Sequence, residues 1–453
     1  MMKQISIHPL LKEIASIFIR QNKQIFLVGG AVRDMFRGKD AQDWDIATDA
    51  LPEEVISMFS KVIPTGIKHG TVTIRYKKLS LEVTTFRTES DYQDGRRPEK
   101  VNYTTNIETD LSRRDFTMNA IALSLPDGQK IDPFGGTSDI EKKIIRCVGN
   151  PLERFGEDGL RPLRAVRFAS QLGFNIEENT LSAIFPSLNI TAKVAVERIR
   201  DELDKVIASP KPSTAFLLME KTGMLELLLP ELFKCRNVEQ KGFHIFDVLD
   251  HSFLACDYSA RENWNQIVRL ASLFHDIGKV DTKAIDSNSG VCTFYQHEKV
   301  SSELTKNILL RFRYSNEIIE KVTHLIKEHM FHYEENWTSA AVRRFIIRVG
   351  EQNLPDLYRL RMADAFATSG KDIPKNYLLP LIKRVDEICS GEKAFSLKDL
   401  KVNGDDLMKI GVKRGPYLGI ILKELFETVI DDPDLNTKEK LLEIAGNLNQ
   451  RYN

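Results

Sequence analysis

The sequence predicts an α/β domain followed by a longer, mostly helical region. Runs of apolar and β-branched residues, which are typical of strands, are concentrated before about residue 148. From about residue 150 onward, apolar residues recur at helical spacing and strand signals become few. The predicted strands are 24–28, 71–76, 80–86 and 120–125, and the clearest helical runs are 192–207, 316–328 and 416–430. The length of 453 residues is consistent with about three domains.

Polar segments rich in Gly, Pro or Ser divide these elements. Residues 89–103 contain Gly and Pro and lack an apolar period, which predicts a mobile loop. Further breaks at 209–212, 286–290 and 369–375 are candidate boundaries or loops.

Composition and charge exclude several classes of protein. Lys+Arg and Asp+Glu are 64 each, so the formal net charge is zero. This argues against a protein that coats nucleic acid with a uniformly basic surface, but it allows a local basic patch. No apolar run approaches the ~18 residues of a membrane span, and no signal-peptide pattern is present. Five scattered cysteines without a C-x-x-C motif predict a reducing, cytoplasmic compartment. We therefore expect a soluble intracellular protein with no membrane partner.

The first candidate site begins where the predicted strand 24–28 runs into Gly29-Gly30. Two glycines let the backbone approach a ligand closely, and free N–H groups at a following helix N-terminus suit a phosphate. Asp43 and Asp45 follow, and on a strand two residues at i and i+2 point to one face. Paired carboxylates repel each other unless a cation lies between them, and Mg²⁺ prefers carboxylate and phosphate oxygens. The pattern predicts two-metal phosphoryl or nucleotidyl transfer, although a lone D-x-D is more often a solvated surface pair.

The second candidate site places an acid and three arginines at three-residue steps. They are Asp158, Arg161, Arg164 and Arg167. On a helix such positions drift slowly round one face, and Arg and Asp can meet the hydrogen-bonding edge of a base with donors and acceptors. Pro162 is tolerated only in a first turn, so we expect the helix to start near Asp158, with Asp158 close to the N-cap. In isolation, a surface helix rich in charges would be the preferred interpretation of this segment.

The third candidate site is a set of histidines and aspartates in the middle of the chain. It contains His251, His275, Asp276, His297, His329 and Asp364. Neutral imidazole and carboxylate are good ligands for divalent transition metals. A single helical histidine is more often a packed core residue, but this ordered series is harder to explain in that way. His244, His324 and His332 fit no such pattern, and we interpret them as structural or surface residues.

Four motifs in order resemble the bacterial-type (class II) tRNA nucleotidyltransferases and the related bacterial poly(A) polymerases. The motifs are GGAVRD, DWDIAT, TGIKHGTV and RRDFTMNA, at 29–34, 43–48, 65–72 and 113–120. The resemblance implies a polymerase-β-type head and template-independent addition of C, C and A to the 3′ end of tRNA from CTP and ATP. His69-Gly70-Thr71-Val72 favours the tRNA enzymes over the poly(A) polymerases.

The resemblance also implies a role for each matching residue. Asp43 and Asp45 would hold catalytic Mg²⁺ ions, and Glu82 on a neighbouring strand is the candidate third carboxylate. Gly30 and Arg33 would contact the nucleotide phosphates, and Arg114 would reach the triphosphate or ribose. Asp158 and Arg161 would face the nucleobase, supported by Arg164 and Arg167.

The histidine series resembles the all-helical HD metal-dependent phosphohydrolases, which some class II enzymes carry at this place. His251, His275, Asp276 and Asp364 would form the core metal site, and His297 and His329 would extend it toward a second metal or the substrate phosphate. Two turns at 402–407 and 411–416 resemble the family's tRNA-binding tail. The expected domains are a head at 1–148, a base-selecting neck at 149–212, a helical HD body at 213–375 and a helical tail at 376–453.

Several alternatives remain open from the sequence. An enzyme that adds only A, or only CC, is possible within the class, although the loop at 89–103 argues against CC-only addition, and a poly(A) polymerase is disfavoured. A rival of another class is an HD phosphohydrolase with a degenerate transferase head. A third is an RNA-binding protein without activity. The metal and substrate of the HD site, and the oligomeric state, are left undetermined.

Overall fold

The computed structural model describes residues 7–41, 43–90, 100–240, 245–285, 287, 292–374, 376–391 and 396–452. The chain forms two compact units. Unit 1 consists of Met1–Phe233 with Arg311–Arg313, and unit 2 consists of Lys234–Leu310 with Tyr314–Asn453.

Unit 1 is built on a mixed seven-stranded sheet in the order β3-β4-β5-β2-β1-β8-β9. These strands are β1 (Ile25–Val28), β2 (Asp45–Thr48), β3 (Val62–Gly66), β4 (Thr71–Tyr76), β5 (Leu79–Thr85), β8 (Ala122–Ser124) and β9 (Lys130–Ile131). Strand β2 pairs parallel with β5 and antiparallel with β1. Two further pairs are the antiparallel hairpin β6 (Arg87–Ser90) and β7 (Lys100–Tyr103), and the parallel pair β10 (Ile144–Ile145) and β11 (Asn175–Ile176).

The helices of unit 1 surround the sheet and continue beyond it. They are α1 (Pro9–Arg20), α2 (Gly29–Phe36), α3 (Pro52–Met58), α4 (Ile107–Ser112), α5 (Gly136–Lys142), α6 (Pro151–Glu157), α7 (Arg161–Leu172), α8 (Glu178–Ser182), α9 (Leu188–Thr191), α10 (Val196–Ile207), α11 (Pro212–Lys221), α12 (Met224–Leu228) and α13 (Pro230–Phe233). Helix α7 ends at Gly173, whose φ of 69° is the left-handed conformation that glycine adopts without strain.

The core of unit 1 lies against the seven-stranded sheet. Its strand β1 is buried along its whole length. Phe26 and Val28 of β1 cluster with Ala47 of β2 and with Phe86, which is fully buried. This continuous burial explains why 25–28 is an uninterrupted apolar run rather than an alternating one. The core fixes the ends of β1 and β2, and the polar residues of the first candidate site lie at those ends.

The predicted elements of unit 1 are largely confirmed, with three corrections. The strand expected at 120–125 is confined to Ala122–Ser124. The helix expected at 192–207 begins only at Val196, after Ala195 in an extended conformation. The segment 89–103 is not a loop at its ends, because β6 and β7 pair with each other from Arg87 to Tyr103. Residues 91–99 of that segment lie outside the described part of the chain.

Unit 2 is predominantly helical, as the sequence predicts. Its helices are α14 (Val248–Arg261), α15 (Gln266–Phe274), α16 (Lys279–Thr282), α17 (His297–Arg311), α18 (Asn316–Glu328), α19 (Ser339–Val349), α20 (Leu354–Ser369), α21 (Leu379–Gly391), α22 (Gly404–Lys409), α23 (Pro416–Asp431) and α24 (Lys438–Tyr452). A small hairpin pairs β12 (Ala284–Ile285) with β13 (Cys292–Thr293). The last three helices enclose an apolar cluster around Leu407, Leu425 and Leu441. Among the described residues, no helix combines the length and the apolar character that a membrane span requires.

Candidate active site and metal clusters

A polar cavity of about 880 Å³ in unit 1 joins the first and second candidate sites. Every residue predicted for the head and neck lines it: Gly30, Arg33, Asp43, Asp45, Glu82, Arg114, Asp158, Arg161, Arg164 and Arg167. The carboxylates therefore face the same space as the arginines. We call this space the unit 1 cavity.

The carboxylate side of the cavity lies at the start of β2. Asp45 is the first residue of β2 and is the register partner of Glu82 on the parallel neighbour β5. Asp43 precedes the strand, which corrects the expectation that both aspartates lie on it. The physical reason is that β1 ends at Val28, opposite Asp45, so the ladder on that side goes no further. The segment is instead held by Trp44, whose ring lies 4.8 Å from that of His8.

The carboxylates fit a divalent cation. Burial and, after it, the charge of Glu82 raise the pKa of Asp45, with Asp43 adding to the effect and Arg114 opposing it. Crowded carboxylates of this kind repel each other, and a cation between them removes the repulsion. The donors are all oxygens, which is the ligand chemistry that Mg²⁺ prefers.

Gly29 allows a carboxylate and a guanidinium to meet at the turn between β1 and α2. Its φ is 72°, and a Cβ there would lie 3.1 Å from Asp45 Oδ2 and 3.5 Å from Arg114 Nη1. Arg114 is held from behind by Asp110, whose Oδ2 accepts from Arg114 Nη2 at 3.2 Å. Asp110 is almost completely buried, and Arg113 and Arg114 lower its pKa although burial opposes them.

Arg33 of α2 is held by two partners. Its Nε and Nη2 donate to Asp34 at 3.1 and 2.9 Å, and its Nη1 donates to Asn119 Oδ1 at 3.1 Å. Asn119 donates in turn to Asp115 Oδ1 at 3.0 Å. The guanidinium of Arg33 is therefore fixed in the cavity wall before any ligand is present.

Asp158 is not an N-cap, which corrects the sequence-based expectation. It is the C-cap of α6, and α7 begins three residues later at Arg161 with Leu160 as its N-cap. Pro162 lies in the first turn of α7, as its chemistry requires. Asp158 accepts from the Leu160 backbone N–H at 3.1 Å and from Arg198 Nη2 at 2.8 Å. Asp158 and Arg161 consequently do not share one helix.

The three arginines of α7 have different partners. Arg161 Nη1 donates to the Arg154 carbonyl at 2.8 Å and pairs with Glu157, and its Nη2 donates to the Arg113 carbonyl at 3.0 Å. Arg164 donates to Asp115 Oδ2 through Nη2 at 2.6 Å and through Nε at 2.9 Å. Arg167 Nε lies 2.6 Å from Glu202 Oε2.

Sequence reasoning missed the buried acids that hold these arginines. Although burial opposes it, the charge of Arg164 holds the pKa of Asp115 at about 2, with help from the Asn119 hydrogen bond. Glu202 is only 3% exposed and pairs with Arg167 and Lys205. Asp115 belongs to the RRDFTMNA motif and could have been suspected from it, whereas Glu202 is one of many acids in an amphipathic helix and carries no distinguishing signal.

The third candidate site is also assembled, within unit 2. His251 Nε2 lies 3.3 Å from Asp276 Oδ2 and 3.2 Å from Asp364 Oδ1. His275 Nε2 lies 3.3 and 3.6 Å from the same two oxygens. These four side chains, contributed by α14, the end of α15 and α20, are buried and offer ligand atoms within 4.8 Å of one another.

Asp276 also belongs to a second set of ligand atoms. Its other oxygen, Oδ1, lies 3.2 Å from His297 Nε2 and 3.7 Å from His329 Nε2. Asp276 Oδ1 and His297 Nε2 are buried and have no hydrogen-bond partner among the described residues. We call His251, His275, Asp276, His297, His329 and Asp364 the His–Asp cluster.

The backbone fixes the orientation of three imidazoles of the His–Asp cluster. The Nδ1 atoms of His275, His297 and His329 lie 3.0, 2.8 and 2.6 Å from the carbonyl oxygens three residues earlier. A carbonyl only accepts, so Nδ1 carries a hydrogen and Nε2 is the ring nitrogen that faces the cluster. This is the arrangement that metal-ligating histidines adopt.

Charge inside the His–Asp cluster is strongly coupled. Burial opposes ionisation, but His275 lowers the pKa of Asp276, and hydrogen bonds from His251 and His275 lower that of Asp364. Burial lowers the pKa of His275, but the charge of Asp276 outweighs burial and raises this pKa to about 10. Burial and the charge of His275 lower the pKa of His329 to about 3. In the absence of a metal, a proton thus balances the two carboxylates.

Two residues of the H-D-x-G-K segment support the His–Asp cluster and were not singled out from the sequence. Lys279 Nζ lies 2.6 Å from Asp276 Oδ2 and 2.6 Å from Gln240 Oε1. A Cβ on Gly278 would lie 2.5 Å from the Ser301 backbone nitrogen and 2.6 Å from the His297 carbonyl oxygen. Glycine at this position therefore lets α17 approach closely enough for His297 to reach Asp276.

The structure agrees with the interpretation of His324 and His332 as structural or surface residues, and the turn at 402–407 caps a helix. His324 Nε2 contacts the Val349 carbonyl at 2.7 Å, and His332 is exposed beside Glu334, while His244 lies outside the described residues. Asn403 caps α22 by accepting from the backbone N–H groups of Asp405 and Asp406 at 2.9 and 3.0 Å.

Three segments of the chain match known protein families. Residues 25–146 match the poly A polymerase head domain, and residues 173–235 match the probable RNA and SrmB binding site of polymerase A. Residues 286–445 match a putative domain 2 of tRNA nucleotidyltransferases.

Similar proteins span nearly the whole chain. The CCA-adding enzyme of Geobacillus sp. (strain WCH70) is 34% identical over 422 residues, which cover 93% of this chain and 92% of that protein. The CCA-adding enzyme of Ligilactobacillus salivarius (strain UCC118) is 34% identical over 434 residues, covering 94% and 93%. The crystal structure of the Bacillus stearothermophilus CCA-adding enzyme in complex with CTP is 29% identical and covers 98% and 99% of the two chains with a TM-score of 0.75.

Proposed function

Because the chain belongs to the CCA-adding enzyme family, we propose that the unit 1 cavity is its nucleotidyl-transfer site. The protein is a nucleotidyltransferase that adds C, C and A to the 3′ end of tRNA, with CTP, ATP and tRNA as substrates. Its head has the polymerase-β-type fold, and its body is helical. One observation supports the proposed site most strongly: the proposed metal ligands Asp43, Asp45 and Glu82 line a single cavity together with Arg33, Arg114 and the arginine-rich segment of α7.

The carboxylates of the cavity are proposed as the metal ligands. Nucleotidyltransferases of this type use divalent metal ions, and we propose Mg²⁺ held by Asp43 and Asp45, with Glu82 beside them. When bound, the metal supplies activation of the tRNA 3′-hydroxyl and charge neutralisation for the leaving pyrophosphate. Asp45 and Glu82 are fixed by the β2–β5 ladder, so their spacing does not depend on the metal.

The arginines of the cavity are proposed to bind and orient the nucleotide. Arg33 and Arg114 are held by Asp34 and Asp110, so their charge is oriented before the triphosphate arrives. The start of α2, where Gly30 lines the cavity, offers backbone N–H groups for a phosphate. Donors that are oriented in advance need no reorganisation in the transition state.

The neck residues are proposed to select the base. Asp158 and Arg161 present acceptors and donors to the cavity, and Arg198, Glu157 and backbone carbonyls orient them. A base edge can be matched by such a pair without a nucleic-acid template. Arg164 and Arg167 are held by Asp115 and Glu202 and support the same surface.

The test of the proposed metal ligand is Asp43→Ala. Nucleotide addition should be abolished while tRNA binding stays close to the wild-type level, because phosphate contacts elsewhere carry binding. Asp40→Asn is the matched control, since Asp40 is an exposed carboxylate on the same segment that does not line the cavity. Addition of C by Asp43→Ala at the wild-type rate would remove Asp43 from the mechanism.

We also propose that the His–Asp cluster is a metal-dependent phosphohydrolase site of the HD type. The supporting observation is that both oxygens of Asp276 face ligand atoms, Oδ2 toward His251 and His275 and Oδ1 toward His297 and His329. Imidazole donors favour a transition metal over Mg²⁺. When bound, the metal would supply a hydroxide for attack on a phosphate ester. Lys279, held against Asp276, is placed to neutralise a substrate phosphate.

The test of this second activity is hydrolysis of 2′,3′-cyclic phosphate and of simple phosphate esters by the purified protein. Activity should appear with Ni²⁺, Co²⁺ or Mn²⁺ and be weaker with Mg²⁺. Absence of hydrolysis with every one of these metals would leave unit 2 as a tRNA support. The division into a head at 1–148, a neck at 149–212, a body at 213–375 and a tail at 376–453, like the cytoplasmic location, is proposed on the sequence alone.

A further inference from the structure

We propose that Phe168 is a positioning residue for nucleotide binding, because its ring holds guanidinium groups of the head and of the neck at the wall of the unit 1 cavity. This inference rests on the proposed function of that cavity. Phe168 lies on α7, is 4% exposed and lines the cavity. It carries no polar atom, so any contribution to binding must act through the groups that it touches.

Three guanidinium groups surround the ring. The Cζ atom of Arg167 lies 3.7 Å from the ring centroid, and those of Arg33 and Arg164 lie at 5.2 and 5.6 Å. Arg33 belongs to α2 of the head, whereas Arg164 precedes Phe168 by one helical turn on α7. The ring is therefore a shared neighbour of arginines from two different elements of unit 1.

The aromatic character of the ring matters for the electrostatics of this group. Three like charges gathered round one side chain repel each other, and Asp34, Asp115 and Glu202 each pair with one of them. The face of an aromatic ring carries a negative quadrupole and attracts cations without using up their hydrogen-bond donors. A leucine is smaller but keeps an apolar side chain at this place, and it supplies no such attraction.

The edge of the ring is also fixed. Phe116 packs against Phe168 in an edge-to-face arrangement, with ring centroids 5.8 Å apart and planes at 88°. Phe116 is completely buried, so it anchors Phe168 to the core of unit 1. The ring faces available to the arginines thus have a defined orientation, and Arg33 and Arg164 both lie against a ring that is fixed in the core.

The expected consequence is a loss of nucleotide affinity that is common to CTP and ATP. The guanidinium groups over the ring are those of Arg33, Arg164 and Arg167 and not that of the proposed base-reading residue Arg161, so base selectivity should change less than KM. In Phe168→Leu we expect KM for both nucleotides to rise about tenfold, the size of effect that lost cation–π contacts produce, with kcat changed by less than about threefold. Phe168→Tyr keeps the ring face and should restore KM to within about threefold of wild type.

The experiment is steady-state addition of C and of A by full-length wild type, Phe168→Leu, Phe168→Tyr and Phe155→Leu, with thermal melting of each. Phe155 is a completely buried aromatic residue of α6 that does not line the cavity, so it is the matched control for loss of a core ring. Phe155→Leu should lower the melting temperature without changing KM. If Phe168→Leu leaves KM unchanged, or if Phe168→Tyr raises KM as much as Phe168→Leu does, the inference is overturned.

Arg33→Ala in the same assay separates this inference from the proposed function. A large rise in KM for Arg33→Ala together with no effect of Phe168→Leu would retain the cavity as the nucleotide site and reject Phe168 alone. Unchanged KM in Arg33→Ala would reject the assignment of the cavity residues themselves, and the Phe168 inference with it.

Discussion

Asp45 and Glu82 lie side by side as register partners on the parallel strands β2 and β5, and both side chains line the unit 1 cavity. Burial and the neighbouring charge of Glu82 raise the pKa of Asp45, so ionisation of Asp45 is disfavoured when no cation is present. The strand ladder nevertheless keeps the two carboxylates together. A divalent cation bound between or beside the two carboxylates would remove their repulsion, and this explains why the fold holds them side by side.

Replacing Glu82 by Gln should therefore weaken metal use. We expect the Mg²⁺ concentration for half-maximal addition to rise, and kcat at low Mg²⁺ to fall, by about 10-fold or more, because one of the charges that attract the metal is lost. The measurement is the addition rate as a function of Mg²⁺ concentration, with Asp40→Asn as the exposed-carboxylate control. An unchanged Mg²⁺ dependence in Glu82→Gln would show that Glu82 is only a strand residue.

Asp158→Ala should relax base selection more than it lowers turnover. Loss of a contact to a base edge costs on the order of 1–3 kcal/mol of discrimination, so UTP or GTP should be incorporated at detectable rates. Incorporation of each of the four nucleotides is the measurement. Arg198→Met is the informative comparison, because Arg198 pairs with Asp158 at 2.8 Å. If both variants lose turnover while base selectivity stays intact, Asp158 has only a structural role at the end of α6 and does not read the base.

His275→Ala combined with Asp276→Ala should remove both the proposed metal binding and the proposed phosphohydrolase activity of unit 2. The pair contributes to both sets of ligand atoms in the His–Asp cluster, and CCA addition should persist because the head has its own carboxylates. Metal content by elemental analysis and cyclic phosphate hydrolysis are the measurements. His332→Ala, at an exposed histidine beside Glu334, should behave as wild type. Equal metal content in the wild type and the double variant would refute the metal site.

Asp115 should contribute acid-sensitive stability. Its pKa is about 2 in the folded protein against 3.8 ordinarily, so the contribution is complete above about pH 4 and is lost as the pH falls from 4 toward 2. The shift corresponds to about 2 kcal/mol. Asp115→Asn should lower the unfolding midpoint at pH 6, and the gap to wild type should narrow near pH 2.5. A gap that is constant with pH would mean that the Arg164 pair does not control this stability.

The head could be predicted well because its signals are local. An apolar run that enters Gly29-Gly30 and is followed by a D-x-D motif already specifies a buried strand, a close turn and a carboxylate pair. The exact place of Asp43 could not be predicted, because it depends on where β1 stops pairing with β2. The role of Glu82 depends on the parallel register of β5, which periodicity alone does not determine.

Long-range pairing explains most of what the sequence did not reveal. Asp158 resembles an N-cap in the sequence, but the chain ends α6 at this residue and directs its carboxylate to Arg198, forty positions later. Glu202 and Arg167 meet only because α10 packs on α7. In unit 2 the order of histidines predicts a metal site. The two sets of ligand atoms that share Asp276, however, come together only when residues of five separate helices meet, on or at the ends of α14, α15, α17, α18 and α20.

The most direct test of the central claim is nucleotide addition to tRNA that lacks the final CCA, the final CA or the final A. CTP and ATP are supplied separately and together, and the products are sized at single-nucleotide resolution. We predict that CTP alone extends the first substrate by two residues and the second by one, that ATP alone extends only the third, and that the two together complete all three. Extension of only one kind of end, or a long poly(A) tail with ATP alone, would contradict the assignment of CCA addition to the unit 1 cavity.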